Sequence, residues 1–447
     1  MRKEVMWPRL VASKILNKSV SDNVVADFPT SPESFHQFQT SDTEEGGPVI
    51  LHEIDTAKTF KIFVSTWNVG GVTPTDNLNI DDLLDTDNTR CDIYVVGFQE
   101  VVTLKASNVV GLEKKKISSK WNSLIRKTLN KQSRSEVSNL KTGNSKLQQE
   151  FVCVVSKRMV GLLLSVWAKS DVHQQIRNPD ISSVGCGIMG CLGNKGSVSA
   201  RFELQDTSFC FVCSHLASGG GEGDEQNRNS DAVNIFSRTS FPTTNGSSIH
   251  LPKRILDHDR VVLFGDLNYR ISLPDKETRS LVNQKDWKTL VKHDQLRVEL
   301  KDGQFGSWHE GDIDFAPTYK YLPNSDEYFC KNDDAKRSPS WCDRVIWRGE
   351  GLKQILYERS ESKLSDHRPV KAIFSTQVKA SESGYRKFYY SNGLGRIPTG
   401  LGFTSDEEYS TSDKLSFKFR HKIISLSYSC VWMDGYGPLS DLMGVAN

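Results

Sequence analysis

An α/β fold is what the sequence predicts, on three observations. Between about residues 60 and 376, short β-rich apolar runs alternate with polar segments and with stretches of helical spacing. The 447 residues leave room for two or three average domains, or for one large α/β domain with extensions. Several of the apolar runs stop at an Asn, Glu, His or Asp, which puts polar groups at strand ends.

Residues 1–57 form an N-terminal extension. Within it, Trp7, Leu10, Val11, Ile15 and Leu16 are spaced for one short amphipathic helix, and the Ser-, Thr-, Asp- and Pro-rich stretch that follows reads as loop. The strands expected next are Phe60–Thr66, Asp92–Phe98, Phe151–Ser156, Leu162–Ala168, Ser197–Glu203, Ser208–Ser214, Val261–Phe264, Arg344–Trp347 and Val370–Ser375. Helical spacing falls at Ser119–Asn130 and Asp275–Val291. The polar stretch 131–150 reads as a surface loop. Residues 114–149 carry ten Lys/Arg and one Glu. A solvated helix face with a loop accounts for this, and a membrane- or polyanion-facing patch is the alternative. The 241–251 loop is a second candidate for peripheral membrane contact. The domain is expected to span 58–376. Beyond it, Ser, Gly, Tyr and Lys dominate a C-terminal tail, 377–447, whose order the composition leaves open.

With 57 Lys+Arg against 55 Asp+Glu, the formal charge is +2. Global basicity therefore gives no reason to expect nucleic acid as partner. Hydrophobic residues at 37% and charged residues at 25% make a globular balance. No apolar run reaches the roughly 18 residues of a membrane span. The start shows no apolar leader core, Arg2 stands where myristoylation needs a glycine, and the last four residues hold no cysteine for prenylation. A soluble cytoplasmic protein is therefore expected, with the nucleus or a membrane periphery as alternatives. The nine cysteines fit reduced thiols better than a disulfide framework. Cys210 and Cys213 form a C-x-x-C inside a strand, where positions three apart face opposite ways; packing, not zinc, is expected.

The chemistry lies at the strand ends. The first strand runs into Trp67-Asn68, the second into Gln99-Glu100, a later one into His215, and the next into Gly265-Asp266-Leu267-Asn268. Asp366-His367 precedes the last strand. Each alone is an ordinary turn or surface residue, but a core has no use for five such endings, because each costs desolvation unless paired. Together, Glu100 and Asn68 offer oxygen ligands suited to Mg²⁺. Asp266 can activate water, and Asn268 can hold it or a phosphoryl oxygen. His215 and His367 can donate to an anionic transition state when a carboxylate keeps them protonated. This is equipment for metal-assisted phosphoester hydrolysis. Cys342 heads a C-x5-R ending at Arg348, but the strand-like Val345-Ile346-Trp347 between them supplies no phosphate cradle, so no nucleophilic role is expected.

On these residues the chain resembles the inositol polyphosphate 5-phosphatases of the endonuclease/exonuclease/phosphatase superfamily. The signature (R/N)-x-P-(S/A)-(W/Y)-C-D-R-(I/V)-(L/I) is matched throughout by Arg337 to Ile346. The signature (F/I)-W-x-G-D-x-N-(F/Y)-R is matched from Gly265 through Arg270, with Val262 and Leu263 at its two leading positions, which are packing positions. Gly193-Asn194-Lys195-Gly196, His215-Leu216-Ala217-Ser218-Gly219 and Pro317-Thr318-Tyr319-Lys320-Tyr321 extend the likeness over roughly 58–376. Its style is similar to the plant type I members.

The resemblance implies a four-layer α/β/β/α sandwich of two packed mixed sheets, the DNase I-like fold, with the site at one end. It implies Glu100 as principal Mg²⁺ ligand with Asn68 and Asp366 nearby, and Asp266 and Asn268 handling the attacking water. His367 would contact the scissile phosphate, paired with Asp343, and His215 would donate to a phosphoryl oxygen. Lys195, Tyr319, Lys320 and Arg337 would recognise the neighbouring 4-phosphate, although Ala335 stands where a further basic residue is often found. The implied activity is Mg²⁺-dependent removal of the 5-phosphate from inositol 1,4,5-trisphosphate, inositol 1,3,4,5-tetrakisphosphate or phosphatidylinositol 4,5-bisphosphate. The expected partner is the head group, not nucleic acid; oligomeric state is not readable. An abasic-site endonuclease and an inactive phosphoinositide-binding module are the alternatives.

Overall fold

The structure, a computed structural model, describes residues 58–86, 88–103, 113–131, 150–187, 190, 193–242, 251–330 and 337–378. The expected N-terminal helix, most of the 131–150 and 241–251 loops, Ala335 and the tail beyond 378 lie outside the described residues.

The strands are β1 (Lys58–Asn68), β2 (Ile93–Gln99), β3 (Phe151–Met159), β4 (Leu162–Lys169), β5 (Ile176–Gly185), β6 (Gly196–Leu204), β7 (Thr207–His215), β8 (Arg260–Asp266), β9 (Asp343–Arg348), β10 (Leu352–Arg359) and β11 (Val370–Val378). They form two mixed sheets, ordered β10-β11-β1-β2-β4-β3 and β5-β6-β7-β8-β9. The helices are α1 (Asp81–Leu84), α2 (Glu113–Leu129), α3 (Ser170–His173), α4 (Asp224–Arg238), α5 (Asp275–Asn283), α6 (Trp287–Lys292) and α7 (Gln295–Asp302).

Period-two alternation builds the layers. On β1, Phe60, Ile62 and Val64 enter the core between the sheets, whereas Phe63 and Trp67 face the other way, against Trp121, Leu124 and Ile125 of α2. On β7, Phe209, Phe211 and Cys213 face the opposing sheet, while Cys210 and Val212 pack outward with Ala232 and Ile235 of α4. The two thiols of the C-x-x-C therefore sit on opposite faces, both buried. Burying one such large side chain is worth about 1.5–3 kcal/mol. A one-residue slip would turn every one of them over, so register is strongly specified. The result is the α/β/β/α sandwich. Gly97 sits where the sheets approach: a Cβ there would lie 2.6 Å from Cys213 Sγ and from a ring carbon of Phe264. Among the described residues, no helix is long and apolar enough to cross a membrane.

Two strands escape a reading by pattern, β5 and β10. Both are sheet edges, and both carry a register shift, between Arg177 and Asp180 and between Gln354 and Leu356. Pro179 and the left-handed Asn178 interrupt β5, which is mostly half-exposed. The single helix expected over Asp275–Val291 is two. Lys285 turns left-handed (φ 56°), and the Asp286 carboxylate accepts the Thr289 N–H at 3.1 Å to start α6.

Candidate active site

Strand direction gathers the polar ends. β1 and β2 are parallel, as are β7 and β8, whereas β9 and β11 run antiparallel to β8 and β1. The C-terminal ends of the first four therefore meet the N-terminal ends of the last two. Asp266 is in register with His215 on one side and Asp343 on the other. Across the sandwich, Asn68 Nδ2 donates to Asp266 Oδ2 at 2.9 Å and toward Glu100 Oε1 at 3.3 Å.

Asp266 is the centre. It is 2% exposed. Burial alone would raise its carboxyl, but the His215, His367 and Lys195 charges outweigh this and hold it well below the usual carboxylate range. His215 Nε2 lies 3.2 Å from Asp266 Oδ2 and also contacts Lys195 Nζ. Asp266 Oδ1 is buried with no hydrogen-bond partner among the described residues. Beside it, His367 Nδ1 pairs with Asp343 Oδ2 at 2.8 Å, and Thr318 Oγ1 donates to the same oxygen at 2.8 Å. Burial would push the His367 imidazolium down; the carboxylates of Asp343 and Asp266 prevail and push it up to about 9. His367 is thus a cation at neutral pH, with Nδ1 committed to Asp343.

The two signatures lock onto each other. The Cys342 carbonyl accepts the N–H groups of Leu267 and Asn268 at 2.8 and 3.2 Å. Asn268 (φ 60°) and Glu100 (φ 52°) both hold left-handed backbones. Gly265 (φ 143°) has no room for a side chain, since a Cβ would lie 1.9 Å from the Ser214 carbonyl oxygen. Cys342 is fully buried and its thiol is pushed far up by burial, which suits packing and not nucleophilic attack. Arg344 points away from the chemistry: its guanidinium holds Asp294 at 2.9 Å and Glu310 at 2.6 Å, all three without exposure.

The family model described as "Endonuclease/Exonuclease/phosphatase family 2" matches residues 65–373. The type IV inositol polyphosphate 5-phosphatase 9 of Arabidopsis thaliana is 54% identical over 91% of this chain and 99% of its own length. The chain belongs to the inositol polyphosphate 5-phosphatase family. It is accordingly a phosphoric monoester hydrolase. The type I 5-phosphatase 8 of Arabidopsis thaliana is 40% identical, over 87% of this chain and 89% of its own. The crystallised 5-phosphatase domain of SPsynaptojanin, in complex with inositol (1,4)-bisphosphate and calcium ion, superposes with a TM-score of 0.61 at 32% identity. That superposition covers 73% of this chain and 87% of the domain.

In this 5-phosphatase the residues expected to act together fall into two groups. Lys195 stands with His215 and Asp266. Lys320 and Arg337 instead flank the Phe329 ring, at 5.9 and 5.5 Å, and Lys320 Nζ pairs with Asp366 at 2.5 Å. Tyr319 lies between them, its ring 4.7 Å from that of His367 and 4.6 Å from the Arg270 guanidinium. Asn68 faces the carboxylates through its amide N–H, while its Oδ1 accepts the Gly70 N–H at 3.0 Å. Asp366 Oδ1 accepts from Ser365, whose hydroxyl also holds the Asn68 carbonyl at 2.7 Å. Sequence reasoning passed over Arg270 and Thr318. Both lie inside quoted motifs, but Thr318 is 25 residues along the chain from its partner Asp343, and nothing in the sequence marks that Arg270 turns back onto Asn268, two residues before it.

Proposed function

We propose that the 5-phosphatase removes the 5-phosphate of inositol 1,4,5-trisphosphate, inositol 1,3,4,5-tetrakisphosphate and phosphatidylinositol 4,5-bisphosphate, with Mg²⁺. The carrying observation is the buried Asp266, kept ionised by His215 and Lys195 beside a cationic His367. The inositol (1,4)-bisphosphate in the SPsynaptojanin complex is what loss of the 5-phosphate from the trisphosphate would leave. Asp266, too weak a base at rest to take a proton outright, holds the attacking water by accepting its hydrogen and takes charge as the new P–O bond forms. His367 donates from the nitrogen that Asp343 does not use. Lys195 and Asn268 add donors for the phosphoryl oxygens. The free Asp266 Oδ1 and the half-exposed Glu100 carboxylate are hard oxygen donors that fit Mg²⁺, and would hold it. When bound, it would neutralise phosphoryl charge. Lys320, Tyr319 and Arg337 are assigned to the 4-phosphate.

We read 58–376 as the catalytic domain, and the 54% identity to a type IV protein against 40% to a type I one favours the former class. The thiols among the described residues, none of them joined in a disulfide, support a cytoplasmic setting, with the nucleus and membrane surfaces as further sites. The test is phosphate release from the two soluble substrates and from vesicles of the lipid, with Mg²⁺ or with chelator. Release only with Mg²⁺ is expected, with a raised Mg²⁺ requirement in Glu100→Gln. Full activity in excess chelator would overturn the metal assignment.

A further inference from the structure

Arg270 closes the first signature and has no part in the reading above, yet its guanidinium is tied to the residue two places after Asp266. It is 7% exposed. Its Nε donates to the Asn268 carbonyl at 3.1 Å and its Nη2 to Asn268 Oδ1 at 2.8 Å. Its guanidinium carbon lies 4.6 Å from the centre of the Tyr319 ring. Nη1 is buried with no partner among the described residues.

A side-chain amide has a donor end and an acceptor end, and a site that needs one must prevent a flip to the other. Asn268 Nδ2 donates one of its two hydrogens to the Leu216 carbonyl at 3.1 Å. A guanidinium has donors only, so it can face Oδ1 and never Nδ2. The same fork grips the left-handed backbone carbonyl of Asn268 (φ 60°).

We infer that Arg270 is a positioning residue that fixes the orientation of the Asn268 amide, so that its second Nδ2 hydrogen is presented to a phosphoryl oxygen. Through its contact with Tyr319 it also ties the scissile side of the site to the side assigned to the neighbouring phosphate. This rests on the donor role proposed for Asn268.

The test compares Arg270→Lys, Arg270→Met, Asn268→Ala, Asn268→Asp and the double variant Arg270→Met/Asn268→Ala, on inositol 1,4,5-trisphosphate with Mg²⁺. Arg270→Met and Arg270→Lys should lower kcat about 10- to 100-fold, the scale of an ångström misplacement, with KM within about threefold. Lysine keeps the charge but not the fork, and should not rescue. Asn268→Asp keeps a partner for Arg270 but presents only acceptors, so it should be as slow as Asn268→Ala. In the double variant, loss of Arg270 should add less than about threefold to Asn268→Ala, because the two act through one amide. The Asn268 side-chain amide resonances should shift or broaden in Arg270→Lys, which a purely structural role would not produce in a protein of unchanged melting temperature. If Arg270→Met does not fold, Arg270→Lys carries the test. Arg270 variants within threefold of wild type, or losses that multiply in full, would overturn the inference. A fully active Asn268→Ala would instead overturn the site reading beneath it.

Discussion

At the scale of single residues, Asp266 is defined by what surrounds it more than by its own chemistry. Asn68 and His215 both reach the same carboxylate oxygen. Asp266→Asn keeps the shape but removes the charge and one acceptor. We expect kcat to fall at least about 10²-fold with KM within a few-fold, the loss of a positioned acid/base group. Steady-state phosphate release measures it, and near-wild-type turnover would place the role elsewhere. His367 makes a second prediction. Its folded value, up at about 9, lies above the ordinary 6.5, so the imidazolium stabilises the fold fully below about pH 6.5, and that contribution is lost as pH rises through about 9. In metal-free protein its ring resonances should titrate near pH 9, and Asp343→Asn should lower that midpoint by at least about one unit. A wild-type midpoint at 6.5 would show that burial cancels the carboxylates. Asp266, Asn268, His215 and His367 stood out as candidates in the sequence because each lies within a few residues of an apolar run. Arg270 and Thr318 did not: only the folded chain brings Thr318 to Asp343, and the sequence does not say that the Arg270 side chain turns back onto Asn268, two residues away.

At the scale of elements, sequence pattern served wherever a strand is covered on both faces or alternates cleanly. It failed at the edges β5 and β10, where exposure and bulges erase the alternation. It also failed for α4, whose buried face includes Arg228 and Asp231 beside Ala232 and Ile235. A helix that buries charge has no apolar stripe to read. Arg228 finds partners there in the Gly219 carbonyl at 3.1 Å and Gln295 at 2.7 Å. The strand β9 shows how one signature serves two purposes. Asp343 faces the site, and Arg344, one residue on, faces the opposite way into Asp294 and Glu310. Arg344→Met should leave the buried Asp294 without its cation and Glu310 with Arg297 alone, at 3.2 Å, and cost about 3–5 kcal/mol. Urea unfolding measures this, and a loss under about 1 kcal/mol would mean that the carboxylates take up protons at little cost.

At the scale of the whole molecule, the chain is nearly neutral at +2, so attraction for a polyanion is local to the site. The separation of Lys195 from the Lys320/Arg337 pair gives this a measurable form. Lys320→Ala or Arg337→Ala should cost about 1.5–3 kcal/mol in kcat/KM on a 4,5-bisphosphorylated ring, the scale of a hydrogen bond to a charged group. That cost should largely vanish on an analogue without the 4-phosphate, whereas Lys195→Ala should be slow on both. Equal losses from Lys320→Ala on the two rings would remove it from 4-phosphate recognition. The pairing of β1 with β11 has a consequence in time. The first described strand closes against the last, and His367 arrives only just before that last strand. During synthesis the chain therefore exposes Asn68, Glu100 and Asp266 long before it can complete their surroundings. A chain halted before residues near 378 have cleared the ribosome is therefore expected to release no phosphate, which assay of stalled nascent chains measures.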